Sequence, residues 1–263
     1  MKPKIMRKLI LIFFIFFKGT HFSQDQNLTE KKLINLIDKR IFWSESSSDK
    51  AYDSLTKYNN EFEKFILDFT SKNPKTITHS FDKVKVGLNI ISSEDGLFRI
   101  YNWNTFEGGT MQFYKNIFQY NIDGKIYSKL NVKDLNDNGC NFYEVNDIIK
   151  NNKHYYVTSS ISVGSSAAYY YKVKVFSIDK EILDENAKLI KTKSGLKNTL
   201  GYNIDLSSSS NRDRNDGIES SDFIKLIYDK KNQTILIPLV NANGKITKNK
   251  IKYKFNGNFF EKI

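Results

Sequence analysis

Residues 98–120 read FRIYNWNTFEGGTMQFYKNIFQY, which is two runs of largely aromatic and apolar residues around a double glycine. In the first run Phe98 and Ile100 stand two positions apart, the side-chain period of a β-strand. Gly108 and Gly109 tolerate the positive φ that a tight connection needs, and TMQFYKNIFQY then returns as a second strand. Because both faces of this pair are apolar, the stretch predicts a central β-hairpin that is covered on both sides.

The opposite face of the same hairpin supports a second interpretation, in which it lines a binding groove. Aromatic rings can stack on sugars, and arginine pairs with anionic groups. The predicted ligand-binding residues are Arg99, Tyr101, Trp103 and, in the connection, Glu107. The sequence leaves both interpretations open, a covered core hairpin and an exposed binding face.

The chain after Pro74 has the pattern of an antiparallel β-meander. Apolar and β-branched segments alternate with turn dipeptides such as Asp123-Gly124 and Asn256-Gly257. In YYYKVKVFSI, residues 169–178, alternating apolar residues and lysines indicate a strand with one buried and one exposed face. The predicted strands are 84–91, 97–103, 110–121, 125–131, 153–162, 169–178, 200–206, 222–228, 233–239, 246–255 and 258–262.

Two helices are predicted before this region. Residues 28–41 place Leu33 and Ile37 on one face, and residues 49–71 carry an apolar stripe at helical spacing until Asn73-Pro74 ends the helix. The predicted fold class is α+β, mainly β, with two N-terminal helices packed on an antiparallel β-sandwich, barrel or partial propeller. The predicted domains are an N-terminal helical segment at 24–80 and an antiparallel β domain at 81–263.

The N-terminus has the order of a secretory signal peptide. Basic residues precede the nine apolar residues LILIFFIFF at 9–17, and a polar stretch follows in which Ser23 is a small residue suited to cleavage. A membrane span takes about 20 apolar residues, so this run is too short, although an uncleaved anchor is the alternative. We therefore expect a signal peptide at 1–23, a secreted or periplasmic product, and no transmembrane segment after its removal.

The formal charge of +12 overstates the basic character of such an exported chain. The predicted leader holds five of the 41 basic residues and no acidic residue, which leaves +7 after its removal. Nucleic-acid sites cluster basic residues and favour arginine at base edges, whereas this chain has only five arginines and thinly spread lysines. The sequence therefore argues against nucleic-acid binding, and its positive charge leaves room only for a loose attraction to anionic surfaces.

Cys140 is the only cysteine, so it can form no internal disulfide and is predicted to be a small buried residue.

Motifs for nucleophilic or metal catalysis are missing from the sequence. After the leader only His79 and His154 remain, and no Gly-x-Ser-x-Gly elbow, phosphate-binding loop or dinucleotide fingerprint accompanies them. No catalytic residue is assigned. Because acidic residues are plentiful, a secreted hydrolase that works through paired carboxylates, such as a glycosidase, is the alternative function.

One segment has the spacing of the first half of a calcium-binding loop. In DLNDNG, residues 134–139, oxygen-bearing side chains stand at positions 1, 3 and 5 and a glycine at position 6. The closing acid would fall at Val145, one residue after Glu144, and a helix should follow. The predicted metal residues are Asp134, Asn136, Asn138 and Glu144, and an ordinary Asn-Gly turn explains the same letters. No cofactor is expected apart from a calcium ion at this loop.

Residues 103–111, WNTFEGGTM, resemble the W-[DN]-T…GGTM element of uncharacterised secreted β-rich proteins of Bacteroidetes-type bacteria. The closing segment from Ile227 is similar to the last strands of the same proteins. The resemblance implies a β-rich exported domain and brings no activity or catalytic residue with it. Together with the missing motifs, it favours an exported, non-enzymatic binding or envelope-associated protein, whose ligand or partner is a peptide, a glycan or a cell-envelope protein.

Overall fold

The structure is a computed structural model that describes residues 29–132, 137–179, 182–207, 224–241 and 244–263. The predicted signal peptide at 1–23 lies outside these ranges. Within them the chain forms two α-helices and fifteen β-strands. The fold class is therefore α+β and mainly β, as predicted.

The chain divides into two compact units. One unit runs to Ile66 and takes in Ser80–Val86, and the other consists of Leu67–His79 and Gly87–Ile263. The division falls inside the second helix. The C-terminal end of that helix therefore belongs to the β-rich unit.

The helical unit is built on α1, residues 29–45, and on most of α2, Ala51–Lys72. Its buried apolar residues recur at helical spacing and include Leu33, Leu36, Ile37, Leu55 and Phe62. Arg40 is buried as well, with a hydrogen bond of 2.6 Å from its Nε to Asn59 Oδ1 and its guanidinium 4.5 Å from the centre of the Phe62 ring. These partners offset part of the hydration that the charge loses on burial. In the part of the chain that the structure describes, neither helix combines the length and the hydrophobicity that crossing a membrane requires.

The β-rich unit contains a short 3₁₀ turn, Pro74–Ile77, and three sheets. Sheet A comprises β1 (Asn89–Ser92), β2 (Phe98–Asn104), β3 (Tyr114–Ile122) and β4 (Lys125–Leu130), an antiparallel meander in chain order. Sheet B comprises β5 (Asn141–Lys150), β6 (Lys153–Val163), β7 (Ala168–Ile178) and β11 (Thr199–Asp205) in the order β11-β7-β6-β5, with the short β8 (Leu183–Asp184) paired to β7.

Sheet C is the third sheet and is assembled from the later part of the chain. It comprises β9 (Ile190–Thr192), β10 (Gly195–Lys197), β12 (Ile227–Asp229), β13 (Thr234–Val240), β14 (Ile246–Phe255) and β15 (Phe260–Lys262). Their order is β10-β9-β15-β14-β13-β12, and only β15 and β9 pair in parallel.

Sheet B is the middle layer of the unit, because successive side chains along its strands point in opposite directions and pack into two different hydrophobic cores. Val157 and Val175 pack into a core shared with sheet C. Their neighbours Tyr156 and Phe176 point the other way and pack on residues of sheet A such as Phe98. The three sheets thus form a β-sandwich with a shared central layer, and among the described strands no sheet closes into a barrel.

Most of the predicted strands are present within a few residues of their predicted ends. The hairpin of β2 and β3 is buried on both faces, and Cys140 is buried. Strand β5 was not predicted, since a bulge between Phe142 and Glu144 breaks the alternation that would have indicated it. Lys172 and Lys174 are half-buried rather than exposed, because their face of β7 is turned towards sheet A.

Candidate functional site

The predicted groove residues of β2 lie inside the protein. Arg99 is 7% exposed, and Tyr101 and Trp103 are 0% and 2% exposed. Arg99 Nη1 donates to the carbonyls of Thr76 at 2.5 Å and His79 at 2.6 Å, and its Nε donates to the Ser92 hydroxyl at 2.7 Å. The guanidinium is thus held by the segment before sheet A, where an anionic ligand would have to displace backbone carbonyls to reach it.

Tyr101 takes part in the same buried network. Its hydroxyl lies 3.0 Å from the Thr76 carbonyl and 2.9 Å from Gln119 Oε1, while Gln119 Nε2 donates to the Thr70 carbonyl at 2.8 Å. Burial raises the pKa of Tyr101 to about 12, against the opposing effect of the Arg99 charge. The face of β2 that carries Arg99 and Tyr101 therefore packs against residues 70–79. Glu107 does not belong to this face and lies in the half-buried connection 105–113.

Of the four predicted calcium residues the structure describes two, and the side chains of these two have different neighbours. Asp134 and Asn136 lie outside the described residues. Asn138 Nδ2 donates to the carbonyls of Gln112 and Val163 at 3.1 and 3.0 Å, whereas Glu144 Oε2 accepts a hydrogen bond of 3.0 Å from the Ser159 hydroxyl within sheet B. The segment that follows is strand β5 and not the helix that an EF-hand requires. Among the described residues no three His, Cys, Asp or Glu side chains are grouped to hold a metal ion.

The structure also brings together acidic and histidine side chains that sequence reasoning left separate. Asp95, in the turn between β1 and β2, accepts hydrogen bonds from Ser93 Oγ at 2.6 Å and the Leu97 amide at 2.9 Å through Oδ1. Its Oδ2 lies 2.9 Å from His154 Nδ1 and accepts from the Tyr156 hydroxyl at 3.0 Å. Both carboxylate oxygens are therefore occupied by protein donors.

Asp147 completes this cluster from β5. Its oxygens accept the amides of Glu94 at 3.2 Å and Asp95 at 2.7 Å. Burial raises the pKa of Asp147 above its usual value, against the opposing effect of the Asp95 amide. A general acid or base needs an oxygen directed at its substrate, whereas these oxygens face turn amides. The cluster thus links the β1–β2 turn to sheet B through hydrogen bonds.

A different place on the β-rich unit has the shape of a binding site. An open groove of about 560 Å³ lies on the face of sheet B that is turned towards sheet A. This volume is within the range of roughly 300–1,000 Å³ that small-molecule sites occupy. The lining residues are Met111, Phe113, Asn138, Ser162, Gly164, Ala168, Tyr169, Tyr170, Asn203, Ile204 and Asp205.

The connection 105–113 forms one wall of the groove and is fixed in place. The Gln112 amide donates to the Val163 carbonyl at 3.0 Å, and the Thr105 amide donates to the Phe113 carbonyl at 2.8 Å. Met111 and Phe113 are held here at 43% and 38% exposure. Two large apolar side chains are therefore presented to solvent by a connection that is tied down at several points.

Three neighbouring strands of sheet B form the floor. Asn203 of β11, Tyr170 of β7 and Ser162 of β6 are direct cross-strand partners and so lie in one row. A Cβ at Gly201 would stand 2.4 Å from the Tyr170 hydroxyl oxygen and 2.6 Å from Tyr170 Cζ. Since Gly201 is two residues along the strand from Asn203, the Tyr170 ring must lie along the sheet surface rather than stand away from it.

Sequence reasoning missed this groove for two reasons. It placed Met111 and Phe113 inside the returning strand, but β3 begins at Tyr114 and leaves both in the connection. It also treated Gly201 as part of an ordinary strand, although a glycine inside a strand often marks a close approach by another group.

Comparison with protein-family models, with curated proteins and with solved structures yields no match to this chain. The resemblance of residues 103–111 to secreted β-rich proteins of Bacteroidetes-type bacteria stays a prediction.

Proposed function

We propose that this chain is an exported, non-enzymatic glycan-binding protein, and that the groove beside Tyr170 binds a neutral sugar. The observation that carries the proposal is the placement of Tyr170, whose ring lies along the surface of sheet B and over Gly201. A ring in this position can offer one side to the apolar C–H face of a sugar ring.

The remaining lining supports a sugar rather than a wholly apolar ligand. The Asn203 side chain is exposed and forms no hydrogen bond with any described residue, and Asp205 follows two residues later on the same face. An amide and a carboxylate together offer both donors and acceptors, which suits hydroxyl groups that act as both. Met111 and Phe113 provide the apolar wall that an amphipathic sugar also needs.

The charge of the lining favours a neutral glycan. Among the described residues of the lining, Asp205 is the one carboxylate, and none is a lysine or an arginine. The like charge of Asp205 would repel an anionic sugar placed beside it. A neutral oligosaccharide therefore fits the groove best.

Calorimetric titration of the purified protein, produced with its own leader, tests the proposal. The probes are cellohexaose, maltohexaose and mannohexaose, after a first screen on a glycan array. We expect binding of at least one neutral oligosaccharide. Tyr170→Ala should weaken it about tenfold, equivalent to ~1.4 kcal/mol, whereas Tyr170→Phe should retain most of the affinity because it keeps the ring.

Tyr52→Ala is the matched control, since Tyr52 is 68% exposed on α2 and its loss should change neither binding nor stability. Equal affinity of the wild type and the Tyr170→Ala variant would overturn the assignment of the groove. Binding only to peptides would make it a peptide site. Release of reducing ends from the bound glycan would instead support the carboxylate hydrolase, which the sequence leaves as the alternative.

Export is the second part of the proposal. It is supported by the basic, apolar and polar order of residues 1–23. Mass spectrometry of the protein recovered outside the cytoplasm should give a mature N-terminus close to residue 24. Recovery of the intact N-terminus in the cytoplasm would contradict it.

A further inference from the structure

The outer face of sheet C carries a row of lysines. Strand β14 alternates between apolar residues such as Ile251, which pack on the core shared with sheet B, and lysines that point away from it. The row consists of Lys248, Lys250, Lys252 and Lys254. At about 3.3 Å per strand residue, Lys250, Lys252 and Lys254 repeat every ~6.6 Å. Lys248 lies in the irregular part of β14, where the register with β13 shifts between Pro238 and Val240, and it lines the same open depression.

Two acidic side chains lie close to this row, and together they are outnumbered by its lysines. Glu261 pairs across the sheet with Lys254, but its Oε1 lies 2.6 Å from Lys191 Nζ, and the hydrogen bond from Lys191 lowers the pKa of Glu261. Asp229 accepts hydrogen bonds from the backbone and side-chain nitrogens of the neutral Asn232 at 3.1 and 2.7 Å, so it is one negative charge beside the four lysines. Lys248, Lys252 and Lys254 form no ion pair with any residue that the structure describes.

The row lies in a trough rather than on a flat surface. The lysines line an open depression of about 640 Å³ along β14, beside Thr234 and Leu236 of the neighbouring β13. A run of cations along one strand in a trough matches an extended linear chain better than a planar lipid surface, which would engage a two-dimensional patch. Nucleic-acid sites on β-sheets add aromatic side chains on which bases stack, whereas the described residues that line this trough include no aromatic side chain.

We infer that the outer face of β14 binds a linear acidic polysaccharide, with carboxylate or sulfate groups along the chain contacted by Lys248, Lys250, Lys252 and Lys254. This surface is separate from the groove beside Tyr170, in whose lining the described residues include no cationic side chain. The inference therefore does not depend on the proposed neutral-sugar site.

Binding to polygalacturonate and dextran sulfate tests it, with uncharged dextran as the reference polymer. The wild-type protein should bind both polyanions at low salt, with an affinity that falls as salt rises because bound counterions are released. The variant K248Q/K250Q/K252Q/K254Q should lose at least about tenfold in affinity and should show a shallower salt dependence. The double variant K252Q/K254Q should show an intermediate loss, and it keeps the test open if the quadruple variant unfolds.

The matched control removes four exposed lysines from the helical unit, in the variant K31Q/K50Q/K57Q/K64Q. It has the same net charge and should bind the polyanions like the wild type. If both quadruple variants lost the same affinity for the polyanions, net charge alone would explain the binding and the inference would be overturned. Tighter binding to an oligo(dT) strand or to anionic phospholipid vesicles than to polygalacturonate would also overturn it. Tyr170→Ala should leave polyanion binding unchanged, which separates this result from failure of the neutral-sugar site.

Discussion

The connection after β2 contains two adjacent glycines, Gly108 and Gly109, and each of them is needed for a different reason. Gly109 adopts a φ of +57°, in the left-handed region that side chains other than glycine rarely enter. A Cβ on Gly109 would meet no atom within 4 Å, whereas a Cβ on Gly108 would stand 2.1 Å from the Met111 carbonyl oxygen and 2.3 Å from Phe113 Cδ2. Gly108 is therefore required by close packing and Gly109 by backbone conformation.

This difference predicts unequal effects of two similar substitutions. Gly108→Ala should destabilise the protein by about 2–3 kcal/mol, because the clash involves a backbone oxygen that no side-chain rotation can move. Gly109→Ala should cost about 1 kcal/mol, the strain of a left-handed alanine in open space. Urea unfolding of both variants measures these changes in the free energy of unfolding. A Gly108→Ala variant as stable as Gly109→Ala would show that the connection can relax around the added methyl group.

At the scale of elements, Glu185 connects sheet A to sheet B. Its Oε1 lies 2.7 Å from Lys129 Nζ of β4, and its Oε2 lies 3.2 Å from Lys174 Nζ of β7. Burial alone would raise the pKa of Glu185, but the two lysines outweigh it and lower the pKa below its ordinary value of 4.5. The folded protein therefore favours the ionised carboxylate.

The sign of this shift predicts how Glu185→Gln changes the pH dependence of stability. A lowered pKa in the folded state stabilises the protein above pH ~4.5, and this contribution is lost as pH falls through the folded-state value. At pH 7 the variant should be about 1–2 kcal/mol less stable, allowing for the partial exposure of the ions. As the pH falls through the lowered folded-state pKa, the wild type and the variant should converge in thermal unfolding.

Glu61→Gln is the control for this measurement. Glu61 lies on an exposed part of α2, 4.0 Å from Lys57, where an ion pair contributes little. A Glu185→Gln variant that loses stability equally at every pH would indicate that the loss comes from packing rather than from charge.

The sequence predicted elements well where a single regular pattern controlled them. The β2–β3 hairpin and strands such as β7 and β13 follow an uninterrupted run of apolar or alternating residues. Strand β5 was not predicted, because the bulge at Phe142–Glu144 puts two residues opposite one partner and shifts the alternation of side chains. The groove could not be predicted at all, since it depends on how far a connection extends and on which tyrosine lies over a glycine in a neighbouring strand.

At the scale of the whole molecule, the β-rich unit extends further towards the N-terminus than its strands do. Residues 67–79 belong to it and supply backbone acceptors to side chains of sheet A. The Thr76 and His79 carbonyls bind Arg99, and the Thr70 carbonyl binds Gln119. The sequence placed the start of the β domain at residue 81, because the strand pattern gives no sign of these contacts.

Two fragments test where the β-rich unit begins. Fragment 67–263 keeps the carbonyls that bind Arg99 and Gln119, whereas fragment 81–263 removes them and opens Tyr101 to water. Since each buried polar group left without a partner costs about 1–3 kcal/mol, fragment 67–263 should be several kcal/mol more stable to urea. Arg99→Lys in fragment 67–263 is a control, because a lysine has a single nitrogen and cannot bind the Ser92 hydroxyl through Nε while Nη1 binds the Thr76 and His79 carbonyls, so it should remove part of the same difference. Equal unfolding midpoints for the two fragments would mean that water replaces these carbonyls at no cost, and that the unit begins at the strands.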